Sequence, residues 1–172
     1  MSSILEAVRQ QLGPDAIQQM SNAVGADPDA TSKAIAMALP ELLGGLSQNA
    51  AQPQGAAALD NALNAHDGSI LDNLGGLLGG GTLGGIGGKI LGHILGSKRE
   101  PVEQGVGKAS GLDAAQVAQL MAMLAPIIMG VLGRMKRNKQ IDANALPDVL
   151  NDGAGAGAGL NIPSLGSIFG QK

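Results

Sequence analysis

The sequence contains no cysteine, tryptophan or tyrosine, and Phe169 is its one aromatic residue. Without cysteine there is no disulfide framework, no thiolate zinc site and no cysteine nucleophile. Without aromatics there is no platform on which bases or sugars could stack. Charge is also scarce. Of the 172 residues, 11 are basic and 14 acidic, which leaves a net charge of −3. A nucleic-acid-binding domain carries a clear basic excess, and this chain does not. The opening MSSILEAVRQQL has no basic region followed by an apolar run, so no secretory signal is read there and a cytoplasmic location is expected.

What the chain does contain is glycine, 28 residues of it, and a 44% share of hydrophobic residues. Its length fits one domain or a compact pair. The first part reads as three helices. Leu5, Val8 and Leu12 share one helical face, and Gly13-Pro14 ends that helix and starts the next. Ile17, Met20 and Val24 repeat the spacing before Gly25. Asp27-Pro28 supplies an N-cap acceptor and a proline at the first helical position, ahead of the stripe Ile35, Leu39, Leu42, Leu43 and Leu46. Residues 47–68 are expected to be a polar loop followed by a short helix around Ala56–Leu63. Leu74 to Gly96 then carries eleven of the 28 glycines. Lys98 to Gly107, with Pro101, reads as a polar connector. A long helix is predicted from about Ala114 to Lys136, opened by Asp113 and by Gln116 in a capping box. A short segment at Asn144–Leu150 and a low-complexity GAGAGAGL tail, expected to be flexible, complete the chain.

The chain also resembles itself. At an offset of 86 residues, Gly25, Asp27, Ala36, Met37, Pro40, Gly44 and Leu46 meet Gly111, Asp113, Ala122, Met123, Pro126, Gly130 and Leu132. After a one-residue gap, Ala56, Ala58, Leu59, Leu63 and Asn64 match Ala143, Ala145, Leu146, Leu150 and Asn151. The reading is an all-α, multihelical fold in which a helix–loop–helix unit is duplicated and two lobes pack together, since each copy alone buries too little surface. The expected division is a first lobe at 1–68, a Gly-rich connector with a short helix at 69–107, a second lobe at 108–152 and the tail at 153–172. A proline within a helix costs about 3 kcal/mol. Pro40 and Pro126 therefore either bend their helices or each start a separate one.

The doubled helix MALPELLGGL at 37–46 and MLAPIIMGVLG at 123–133, with QGAAALDNAL at 54–63 and GGKILGHILG at 87–96, resembles the YidB-like family, the bacterial domain of unknown function 937. The resemblance spans roughly residues 1–151. It implies an all-helical fold with an internal duplication, and no agreed activity, catalytic residue or cofactor. The glycine run at 75–88 is richer than that family's usual linker.

Chemistry-bearing motifs are absent from the sequence. His66 and His93 lie in different segments, and His93 has no carboxylate three or four residues away. Asp60, Asp67 and Asp72 lack the spacing of a calcium loop. Gly87-Gly88-Lys89 is followed by Ile90, which fails as a phosphate loop. No catalytic, metal or cofactor residue is assigned, and no small-molecule substrate is evident. Three other features point to contact. Leu83, Ile86, Ile90 and Ile94 fall on one face, and Gly84, Gly88 and Gly92 repeat every four residues, a spacing that lets helices approach closely. The self-association set is therefore Gly84, Ile86, Gly88, Ile90 and Ile94, supported by Met129 and Leu132 from the long helix, and a homo-oligomer is expected. Met129 is one of four methionines there, with Met121, Met123 and Met135, and methionine suits adaptable interfaces. Arg134, Lys136, Arg137 and Lys139 form a basic cluster that suits the helix macrodipole. The alternative reading of that cluster is a nucleic-acid patch on a helix-turn-helix-like lobe. A third reading puts the Gly-rich segment in contact with a membrane surface, although Lys89 and His93 interrupt its apolar run.

Overall fold

A computed structural model describes residues 4–65, 68–79, 82–138 and 148–150. Among them the protein is all-α, with α1 (Ile4–Gln11), α2 (Pro14–Val24), α3 (Pro28–Ala50), α4 (Pro53–Ala65), α5 (Ser69–Asp72), α6 (Leu74–Gly79), α7 (Thr82–Leu95), a 3₁₀ turn (Gly96–Lys98), α8 (Arg99–Ser110) and α9 (Ala114–Arg137). Residues 148–150 are also helical. The tail, residues 139–147, His66 and Gly80-Gly81 lie outside the described residues.

Local chemistry explains most of the boundaries. Gly25 and Gly111 end α2 and α8 in the left-handed region, at φ +68° and +85°, where a Cβ would be strained. Each is followed by an aspartate that starts a long helix. Asp113 forms the expected capping box: its carboxylate accepts from the Gln116 amide at 2.7 Å, and the Gln116 side chain accepts from the Asp113 amide at 3.1 Å. Asp27 differs. Its carboxylate accepts no capping bond, and Thr31 Oγ1 donates instead to the Asp27 carbonyl at 2.9 Å.

Three expectations are corrected. The short helix expected around Ala56–Leu63 is present as α4, but the loop before it shrinks to Ala51-Gln52, since α3 runs to Ala50 and α4 starts at Pro53. Alanine-rich sequence favours helix, and proline tolerates the first turn. The polar connector at 98–107 is the 3₁₀ turn and α8. Pro101 sits in the first turn of α8, where its missing amide costs nothing, and Arg99 and Glu103 pair at 2.6 Å one turn apart. The Gly-rich connector, expected to hold a short helix, has three among its described residues, α5, α6 and α7.

Both internal prolines lie within continuous helices, so neither starts a new one. Helix α9 is the hub. Every residue from Leu120 to Gly133 is buried, and α1, α2, α3, α4, α5, α7 and α8 all pack against it. It is long and apolar enough to cross a membrane by length and composition, but 78% of its most apolar window is buried inside the fold. The buried side chains, from Ile4 to Leu150, form a single hydrophobic cluster.

The tightest crossing is α7 on α9. A Cβ on Gly87 would run into the backbone carbonyl of Ala122. That carbonyl is the one Pro126, four residues on, leaves without an amide donor. The bare Gly87 backbone is what lets α7 lie this close to α9. Gly130 makes a second crossing, because a Cβ there would lie 2.6 Å from Ile70 Cγ2. Gly88 has nothing within 4 Å of its Cβ position.

These neighbours give opposite expectations for one substitution. Gly87→Ala lowers stability by about 1–3 kcal/mol through overpacking. Gly88→Ala raises it by about 0.5–1 kcal/mol through helix propensity. Urea unfolding of the two variants, at unchanged m-value, checks both signs.

Candidate interaction surfaces

Helix α7 has two faces. Gly87, Leu91, Ile94 and Leu95 turn inward, with Ile94 against Gly45 of α3, where a Cβ would lie 2.8 Å from it. Asn49 of α3 holds the C-terminal end, donating to the carbonyls of His93 at 2.9 Å and Ile94 at 3.1 Å. Gly85, Ile86, Lys89, Gly92 and His93 are exposed on the outer side, with Gly88 half-buried between them. Ile86, at 45% exposure, is the one large hydrophobic residue exposed among the described residues. Gly85, Gly88 and Gly92 all have open space where a Cβ would stand.

The expected self-association set is therefore divided. Ile86 and Gly88 lie on the outer side of α7. Gly84 belongs to the helix backbone, and Ile90 is partly buried against the core. Ile94, Met129 and Leu132 are core residues at 6%, 3% and 0% exposure, so they hold this chain together instead of facing a partner. The reason is the rotation of α7. Gly87, packed close to Ala122, faces inward with Leu91 and Ile94, Ile90 sits at the margin, and Ile86 is turned outward. Met121 and Met123 are likewise buried. The sequence signal that was missed is Gly87 with Leu91 and Ile94, spaced four and three apart.

The basic cluster is largely engaged within the chain. Arg134 donates to Asp72 Oδ1 at 2.7 Å and to the Gly68 carbonyl at 3.2 Å. Lys136 pairs with Asp60 and donates to Asn64 Oδ1 at 3.0 Å. Together they tie the C-terminal end of α9 to α4 and α5. Arg137 is exposed at the end of α9, and Lys139 lies outside the described residues. These acidic partners sit 62 and 76 positions away in sequence, so no local pattern announced them. His93 is exposed and contributes its backbone carbonyl, and among the described residues no three potential metal ligands gather.

A family model for bacterial proteins of unknown function, DUF937, matches residues 6–135. The chain belongs to the DUF937 family. The match begins within α1 and ends within α9, so the DUF937 unit takes in the helices that build the core. It agrees with the resemblance carried by the proline-containing helices. Comparison with curated proteins and with solved structures found no significant match.

The Lys136–Asp60 pair is only partly shielded, with 22% and 31% of the two side chains exposed. A double-mutant cycle of Lys136→Ala and Asp60→Ala is expected to give a coupling of at most about 1 kcal/mol. The coupling shrinks as salt rises, because exposed charges are screened. Chemical denaturation at low and high ionic strength measures it.

Proposed function

We propose that this DUF937 protein is a non-catalytic, cytoplasmic helical module that self-associates through the outer face of α7. One observation carries the reading. A glycine inside a helix costs about 1 kcal/mol relative to alanine, and α7 contains Gly84, Gly85, Gly87, Gly88 and Gly92. Packing on α9 accounts for Gly87. Nothing within the described chain fills the space where side chains of Gly85, Gly88 and Gly92 would stand, and Ile86, next to Gly85 in sequence, is exposed at the other margin of the outer side. Bare backbone of this kind lets a second helix cross closely. A second copy of α7 is the occupant proposed.

The reading includes a duplicated helix–loop–helix unit as the origin of the fold. In its support, an offset of 86 carries α2 onto residues 100–110, where α8 spans Arg99–Ser110. The same offset carries α3 onto residues 114–136, where α9 spans Ala114–Arg137. Both turns between these helices hold a left-handed glycine and an aspartate at the N-cap.

A single helix face belongs to the small interface class, below about 1,200 Å² in total. The dimer is accordingly expected to be weak, with a Kd in the micromolar range, about −8 kcal/mol or less favourable. Light scattering behind size exclusion over a concentration series reads it. Wild-type mass rises with concentration, and Ile86→Asp or Gly88→Leu holds the protein at monomer mass without loss of helical signal. A wild-type protein that stays monomeric at every concentration sinks the reading.

A further inference from the structure

Gly85, Gly88 and Gly92 share the outer side of α7 with two basic side chains, Lys89 and His93. Lys89 follows Gly85 by about one turn, and His93 follows Lys89 by one more, next to Gly92. Both are exposed, and among the described residues neither side chain has a hydrogen bond or an ion pair. The sequence places no acidic residue between Asp72 and Glu100. The elements packed on α7 bring no carboxylate to these two groups either. Helix α6 has no titratable residue, and α9 has none before Arg134, which Asp72 holds. Helix α3 meets α7 at Gly45 and Asn49, with Glu41, Lys33 and Asp29 one turn or more back toward its start. The 3₁₀ turn offers Lys98, which donates to Gln48 Oε1 at 3.1 Å. Helix α8 offers Arg99 paired with Glu103, Glu100 bonded to Gln104, and Lys108 in its last turn. The outer side of α7 is thus basic and has no counter-ion from its own chain.

We propose that the α7 contact is an acid-sensitive switch, in which protonation of His93 drives the two chains apart. The inference rests on the self-association through α7 proposed above. A two-fold contact sets one patch against itself. The open glycines straddle residue 88, so a crossing centred there brings Lys89 of one copy near Lys89 of the other, whether the helices run parallel or antiparallel. Packed helix axes lie about 8–10 Å apart, within about one Debye length at 0.1 M salt. His93 lies about 6 Å further along the axis, within reach of the facing Lys89. With His93 neutral the seam holds one charge from each chain, and with His93 protonated it holds two from each. Histidine changes its charge between about pH 8 and pH 5. Like charges with no counter-ion are costlier in the dimer than in separated chains. The dimer therefore binds fewer protons than two monomers, and acid favours the monomer.

Sedimentation equilibrium of the full-length protein reads the dimer Kd at about pH 7.5 and about pH 5.5, each at low and high sodium chloride. In the wild type at low salt, Kd rises about fivefold to tenfold in acid. High salt shrinks that rise, because the repulsion is screened. His93→Gln brings the ratio of the two Kd values to about one, and Lys89→Gln lowers it without abolishing it. A wild-type Kd that is unchanged or lower in acid overturns the switch and leaves the α7 contact standing. An acid response that persists in His93→Gln does the same. A protein that is monomeric at every pH and salt concentration removes the α7 contact, and the switch with it.

Discussion

The close approach of α7 to α9 at Gly87 and Ala122 is the constraint on which the architecture rests. A helix buried from Leu120 to Gly133 on all sides must be surrounded. Seven other helices do this, and α7 comes nearest because Gly87 has no side chain at the crossing. Pro126 has no amide hydrogen to give the Ala122 carbonyl, which lies in the middle of the core. Gly87 lies close to that carbonyl on the inward side of α7.

Polar chemistry in this protein is spent on helix ends. Asn49 closes α7, Gln116 and Gln119 close α2, and Arg134 and Lys136 fasten the end of α9 to α4 and α5. Each joins elements distant in sequence. Two of the four cations in the basic cluster, Arg134 and Lys136, are struts, and the interior they brace is aliphatic and methionine-rich. The outer face of α7 stands apart from this scheme, since its glycines serve no contact within the described chain.

Much of the helical plan was legible because it depends on short-range rules. Gly13-Pro14, Asp27-Pro28 and the Asp113–Gln116 box marked helix starts that the structure has within a residue. The stripe Ile35, Leu39, Leu42, Leu43 and Leu46 is buried throughout. Helix α8 was missed, and α7 was read as no more than a short helix within a connector, for different reasons. In α7, glycine opposes helix locally, and packing on α9 overrides that preference. In α8, Pro101 looked like a breaker, although a first-turn proline is harmless. Carried back before Gly25, the offset of 86 residues lays α2 over residues 100–110, within α8. The candidate surface was half legible: the glycine spacing drew attention to α7, while its inward side meets the Ala122 carbonyl, 35 positions away.

Gln116 has a consequence of its own. Its side-chain oxygen completes the start of α9 while its nitrogen reaches the last carbonyls of α2. One carboxamide thus closes two helix termini that lie about ninety residues apart in the chain. Fraying at either terminus strips a partner from the other, so the two ends loosen as a unit and not one at a time.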